Sequence, residues 1–324
     1  MLKNGEKLGA FIVPTGVGAS IGGFAGDASP YARKFAEISK LIVNPNVVNA
    51  GCFSGITSNM LYVEGFSIDS FFKKEISLKE TKNNKIGVIF DKSIPEDVLN
   101  VHINTINAVK AVYGIDIPHI EITKNEVGVE FFVNNFGISM GKVNDKNTLI
   151  EAGKTLLNRG CTALAVCCLF DDCNDENYAQ NGGVDPIGGV EAIISHSISK
   201  ELKVPCAHSP AFCDYQIYPE IVDMRASSEY ITPTFLPCIL LGLQNAPLIS
   251  DFDDNEITLD NLDYLVMPHN CLGSIPVMEA LKNNIKVFAV KENKTVLNIT
   301  KDNLSPNSGI ILVNTYDEVL ELIK

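Results

Sequence analysis

Apolar and polar positions along this chain alternate in two rhythms. Short, nearly unbroken apolar runs occur at Ala10–Val13, Leu41–Val43, Leu61–Glu64, Ile86–Phe90, Ala163–Cys168, Val204–His208, Tyr264–Met267, Val287–Val290 and Ile310–Val313. Runs of this length predict strands, and the lack of a polar face predicts burial on both sides. Between many of them apolar residues recur about every 3.6 positions, which predicts helices. The clearest is Pro95–Tyr113, where Val98, Val101, Ile106, Val109 and Val112 approximate one face; others are Asp145–Arg159, Ile187–Leu202, Ile275–Asn283 and Tyr316–Ile323. Strands alternating with helices predict an α/β fold: mainly parallel sheet covered by helices on both faces, in Rossmann-like units, as one body or two lobes. No low-complexity linker interrupts the pattern. A seam near residues 141–147 would give halves of 1–144 and 145–324, each opening α/β units.

The first strand leads into the densest glycine cluster. Gly16, Gly18, Gly22, Gly23 and Gly26 follow Pro14 within a few residues, before a helix predicted to open near Ser29-Pro30. Glycine is costly in ordered structure, so such a cluster implies a backbone that turns sharply and approaches something closely. Amide N–H groups at a helix start commonly hold an anion. Thr15, Gly16, Gly18, Ser20, Gly22 and Gly23 are therefore candidate ligand contacts, although a tight turn with no ligand uses the same residues. No Gly-Lys-Ser/Thr follows, and the glycine spacing misses the dinucleotide fingerprint by one residue. A second strand, Tyr264–Pro268, ends in proline and leads through His269-Asn-Cys-Leu-Gly-Ser274 into a helix. Placing Pro14 on Pro268 sets Ser20 on Ser274. Gly273 and Ser274 are thus expected beside the first loop, at the carboxyl edge of one sheet, where open α/β folds bind ligands.

Two long irregular stretches carry the remaining polar candidates. In Asn44-Pro-Asn46-Val-Val-Asn49 turn chemistry accounts for Asn44-Pro45 but less well for Asn46 and Asn49, which become ligand candidates. Glu64 closes an apolar run and is read either as a general base or as an exposed strand end. In the stretch from Gly182 to His196, Asp185 precedes Pro186 and caps a helix if one starts there. Glu191 and Ser195 share a helical face, and His196 is turned away from it. His208 is expected at a strand end. Asp185, Glu191, His196 and His208 are the catalytic candidates, suited to acid–base work. Asp185, Glu191 and His208 also suit a divalent metal, but their spacing matches no standard metal motif. Helix capping and hydrogen-bonded packing are the ordinary roles of the same residue types.

Composition narrows the partners. The 324 residues are 46% hydrophobic and 20% charged, with a net charge of -13. That balance argues against nucleic acid and anionic membranes as partners and leaves a small-molecule ligand; self-association into a homo-oligomer is compatible with it. No apolar run approaches a membrane span and the first residues do not form a signal peptide. The nine cysteines form no Cys-x-x-Cys pair, and their odd number favours reduced thiols in a cytoplasm. Cys52 and Cys271 lie in loops after strands and are the alternative nucleophiles, as in two-cysteine racemases of small amino acids, though neither sits in the motif of those enzymes.

The stretches Val13–Ala28, Asn44–Asn49, Leu61–Gly65, Gly183–His196, Pro205–Pro210 and Thr234–Cys238 together resemble a family of bacteria, cyanobacteria and plastids catalogued as a domain of unknown function. The resemblance covers nearly the whole chain and implies one family unit without implying an activity. The stretch Asn270–Ser274 departs from the pair of adjacent glycines usual there. The expected function is a cytosolic enzyme that hydrolyses or isomerises a small polar or anionic metabolite, with the glycine loops as anion site. The alternatives are a cysteine-dependent racemase or epimerase and a non-catalytic metabolite-binding regulator.

Overall fold

The computed structural model describes residues 5–171, 176–217, 219–304 and 309–324. The apolar runs form β1 (Leu8–Phe11), β2 (Lys40–Val43), β3 (Met60–Tyr62), β4 (Ile86–Phe90), β5 (His119–Ile122), β6 (Ala163–Phe170), β7 (Cys206–Phe212), β8 (Tyr264–Pro268), β9 (Lys286–Val290) and β10 (Ile310–Val313). The main helices are α1 (Ser29–Ile38), α2 (Gly65–Phe72), α3 (Glu96–Tyr113), α4 (Lys146–Asn158), α5 (Gly188–Leu202), α6 (Leu236–Gln244), α7 (Ile275–Lys282) and α8 (Tyr316–Ile323). Strands from both ends of the chain make a six-stranded sheet in the order β10-β9-β8-β1-β2-β3, parallel throughout. Strands from the middle make a four-stranded parallel sheet in the order β7-β6-β4-β5. The fold is α/β. Residues 144 and 145 fall inside the span of the second sheet, with β4 and β5 before them and β6 and β7 after.

The two sheets share one apolar core. It runs from Phe11, Val43 and Tyr62 of the first sheet to Val88, Phe90 and Ala165 of the second. The opposite face of the first sheet packs Leu8, Ala10 and Leu265 against Phe71 and Val277, and that of the second packs Ile89 and Leu164 against Leu149 and Ile194. Each such side chain, fully buried, contributes about 1.5–3 kcal/mol relative to exposure. Gly9 marks the tightest approach inside the sheet: a Cβ there would lie 2.2 Å from the Tyr264 ring.

Several boundaries differ from expectation in ways that matter for the site. Strand β3 stops at Tyr62, so Glu64 is not a strand end; it is the N-cap of α2. Helix α5 starts at Gly188 with Ile187 as N-cap, so Asp185 acts from upstream of the capping position. Strand β7 runs on to Phe212, so His208 is inside a strand and not at its end. Helix α6 is apolar all round because α3 and strands of the second sheet pack against it, which left no polar face to reveal its period.

Candidate functional site

The first sheet reverses its winding between β1 and β8, which is where a ligand crevice is expected. That crevice is filled by the chain itself. The segment after β9 brings in Asn293, fully buried, whose Oδ1 accepts from the Ile21 amide at 3.1 Å and whose Nδ2 donates to the Ile21 carbonyl at 2.7 Å. Ser20 Oγ donates to the Glu292 carbonyl and accepts from the Lys294 amide. Asn270 Nδ2 donates to the Thr295 and Leu297 carbonyls. Ser274 turns its Oγ toward Met267 Sδ, and Gly273 packs under Ile299. β1 and β8 are parallel neighbours as the two-loop reading expects, but no interaction among the described residues joins Ser20 to Ser274.

The glycine loop turns instead toward the start of α5 and the strand Ser139–Val143, which pairs antiparallel with Val129–Val133. The Ser139 amide donates to the Gly16 carbonyl at 2.9 Å, and the Gly189 amide donates to Ser139 Oγ at 2.9 Å. Gly16 and Gly18 have φ of 73° and 56°; a Cβ on Gly18 would lie 3.0 Å from the Gly183 carbonyl. A Cβ on Gly188 would lie 3.0 Å from Thr15 Cγ2 and 3.3 Å from Asp185 Oδ2. The glycines therefore let two backbones meet at the start of α5. The loop also holds an anion of its own: the Gly22 amide donates to Asp27 Oδ1 at 2.6 Å. Gly23 is held by Tyr178, whose hydroxyl donates to its carbonyl at 3.0 Å. Phe24 stacks on Tyr178, and the Arg225 guanidinium lies over the Phe24 ring, 4.5 Å from its centroid.

Four carboxyls collect at this junction. Asp185 Oδ1 accepts from the Ile187 amide at 3.0 Å. Burial pushes Asp185 up to about 6 against the pull of the Ile187 and Gly188 amides. Asp27 is also pushed up to about 6, by burial first, with the Gly22 amide and the Arg225 charge pulling down. Glu229, on the short helix Ser227–Tyr230, is pushed up to about 8 by burial and then by the charge of Asp185. Glu191 is only 8% exposed. Burial, then the charges of Asp185 and Glu229, hold it well above the usual carboxylate range. Its carboxyl has no hydrogen-bond partner among the described residues. Tyr62, Cys167 and Cys238 feel its charge from the shared core.

The histidines divide into two pairs. His208 Nδ1 lies 2.8 Å from Ser195 Oγ. Burial, then the charge of His196, pushes His208 down to about 3, so it is a neutral imidazole. Its partner is a serine and not the carboxylate or metal that an acid–base histidine at a strand end would require. His196 is the carboxylate-paired histidine: its Nε2 lies 3.4 Å from Glu64 Oε2. Glu64 is buried and accepts from the Phe66 and Ser67 amides, both at 2.7 Å. That geometry makes it a helix cap facing a histidine and not an exposed strand end. A small cavity lined by Tyr62, Glu64, Ser67 and Cys206 opens beside it.

The remaining candidates are accounted for locally. Asn46 Nδ2 donates to the Pro14 carbonyl at 3.2 Å, behind the glycine loop, and Asn49 Oδ1 accepts from the Tyr62 hydroxyl at 3.1 Å. Cys52 is half-buried in the turn between Asn49–Ala50 and Phe53–Ser54. Cys271 is buried, its Sγ 3.3 Å from the Pro268 carbonyl, and burial pushes it up to about 12. Among the described residues no three His, Cys, Asp or Glu side chains could hold a metal ion, so Asp185, Glu191 and His208 do not form such a set. Asp27 and Glu229 were missed in the sequence. Asp27 was visible as the acidic end of the glycine motif, whereas Glu229 lies in a stretch with no period to single it out.

The family described as "Protein of unknown function (DUF3326)" matches residues 9–324, and the chain belongs to it. The chain is 34% identical over 296 residues to an uncharacterised lipoprotein of Synechococcus sp., a match covering 89% of this chain and 82% of that protein. No solved structure matches the chain. Among the described residues no helix is long and apolar enough to cross a membrane.

Proposed function

We propose that the protein is an enzyme that moves protons on a small polar metabolite, in an isomerisation or a hydrolysis, at the junction of the glycine loop with the start of α5. The observation that carries this reading is Glu191, 8% exposed, without a hydrogen-bond partner among the described residues, and under the charges of Asp185 and Glu229. A carboxyl enclosed to this degree and shifted toward its protonated form is a functional-site candidate. Carboxyls whose environments push them apart serve as acid and base respectively. Glu229, at about 8, keeps its proton at neutral pH and acts as acid, with Glu191 shifted by burial in the same direction; Asp185, at about 6, is ionised and acts as base. His208 is neutral and orients Ser195 without donating a proton to substrate. A two-cysteine mechanism is disfavoured, because the buried Cys271 thiol is held at about 12 and resists forming the thiolate it would need. We assign the reaction to the cytoplasm, on the free thiols of the described cysteines.

The test is incubation of the protein with a small-molecule cell extract in D2O, read by mass spectrometry against Glu191→Gln. The expected result is that one or more metabolites gain deuterium or change mass with the wild type only. Identical profiles from the two proteins, with a metabolite still retained by both, would leave a binding protein and remove the enzyme.

A further inference from the structure

The second sheet ends in an open edge at β5, and we infer that a second copy of this chain docks there, strand against strand, so that two four-stranded sheets become one. Among the described residues β5 pairs with β4 alone. Its phase on β4 is fixed. The Thr123 amide donates to the Phe90 carbonyl at 2.8 Å, so in a parallel ladder His119 and Glu121 also turn their backbone groups inward. Ile120 and Ile122 turn theirs outward, which is the template another strand completes. The side chains divide between the two faces. Ile120 stands beside Val88, on the face that α3 covers, and Glu121 beside Ile89, on the face that α4 covers. Cover is incomplete at the edge: Ile120 and Ile122 are 37% and 50% exposed, and Val112 and Tyr113 at the end of α3 are exposed as well. The opposite edge, β7, carries Pro210, which has no N–H to give.

The occupant is a second copy because the edge is complementary to itself. Antiparallel pairing sets outward-turned residues opposite each other, which leaves few registers. With Ile120 opposite Ile120 of the second copy, the two exchange both backbone bonds. His119 then falls opposite Glu121 of the second copy, an imidazole against a carboxylate, and the two-fold axis repeats the pair. Arg159 Nη1, 2.9 Å from Glu121 Oε2, holds that carboxylate on its face of the sheet. Setting Ile120 opposite Ile122 instead puts Glu121 against Glu121, like charges at the closest spacing of the ladder. A shift the other way puts His119 against itself, and Ile122 opposite itself leaves Glu121 against Thr123. Only the first register joins complementary groups, and it also brings the two exposed Ile120 side chains together.

The experiment is light scattering of the full chain across a concentration series, together with cysteine substitution along the edge. The expected result is a monomer–dimer equilibrium that Ile120→Lys abolishes. Directly opposed residues of a hydrogen-bonded pair lie about 5.5 Å apart at Cα, within disulfide reach. Ile120→Cys should therefore link two copies on mild oxidation, with the joined peptides read by mass spectrometry. Glu121→Cys, displaced along the ladder from its own copy, should not. His119→Glu sets carboxylate against carboxylate and should weaken the dimer about tenfold, and adding Glu121→Lys should restore it. If Ile120→Lys does not fold, the His119→Glu pair of variants carries the test. A chain that stays monomeric at every concentration overturns the inference. So does a dimer indifferent to both Ile120→Lys and His119→Glu, or one that links through Glu121→Cys and not through Ile120→Cys.

Discussion

Glu229 and Glu191 tie the stability of the protein to pH in a direction opposite to that of an ordinary salt-bridged carboxylate. Both have folded-state pKa values raised above those of the unfolded chain, Glu229 from 4.5 to about 8. The folded state therefore binds more protons between those values, and stability falls as pH rises through them. The contribution of Glu229 is full below about 4.5 and is lost by about pH 8; Asp27 and Asp185 add a fall between 3.8 and about 6. The melting temperature is expected to decline from about pH 5 to about pH 8, and Glu229→Gln to flatten the upper part of that decline. A melting temperature that climbs steadily over this range would rule out protonated carboxyls at the junction. Gly51 offers a second test at this scale. Its φ is 61°, and a Cβ there would lie 2.1 Å from the Ser228 carbonyl, next to Glu229. Gly51→Ala is expected to cost about 2–4 kcal/mol in denaturant unfolding, because backbone and not a mobile side chain must give way.

Elements explain which residues of the candidate junction the sequence singled out. Asp185 and Glu191 were legible because a glycine-rich polar stretch runs into a helix with clear apolar spacing. His208 was placed at a strand end because the apolar run stops there and a proline follows at 210. The strand continues through Pro210 because β7 is an edge strand, where a missing N–H leaves no ladder bond unmade on the open side. Glu64 was misread because strand β3 and helix α2 are separated by only Val63 and Glu64, too short a connection for pattern to divide. Its capping role gives an expectation at this scale. Glu64→Ala removes the acceptor of the Phe66 and Ser67 amides and the partner of His196, and should cost about 2 kcal/mol, the upper end for a helix N-cap. Glu64→Gln keeps an acceptor oxygen and should cost less than half of that. Equal losses from the two, in chemical unfolding, would mean that the carboxylate charge, not the cap, is what α2 depends on.

At the scale of the molecule, the strand and helix alternation correctly disclosed an α/β fold with parallel sheets, since both follow from periodicity alone. It did not disclose that the chain returns, in β8–β10, to complete the sheet begun by β1–β3, because pairing partners leave no mark in local pattern. The same return brings Asn293 into the crevice where the two proline-ended loops suggested a ligand. The shared core between the sheets also fixes the thiols. Cys161, Cys167, Cys168, Cys206, Cys238 and Cys271 are buried, whereas Cys213 is exposed and Cys52 half-buried. A thiol reagent should label Cys213 and Cys52 in the native protein and these six only on unfolding, as peptide mass mapping would read. Native-rate labelling of Cys271 would contradict its place beneath the β8 loop and restore the cysteine mechanism.

Everything proposed for the junction depends on Glu191 holding its proton where an ordinary glutamate has lost it. Infrared difference spectroscopy of the wild type against Glu191→Gln at about pH 7 reads that proton directly, through the carbonyl stretch of a protonated carboxyl. The account expects this band in the wild type, its loss in the variant, and its conversion to carboxylate bands only in more alkaline solution. A wild type that shows Glu191 as a carboxylate at about pH 7 would contradict it.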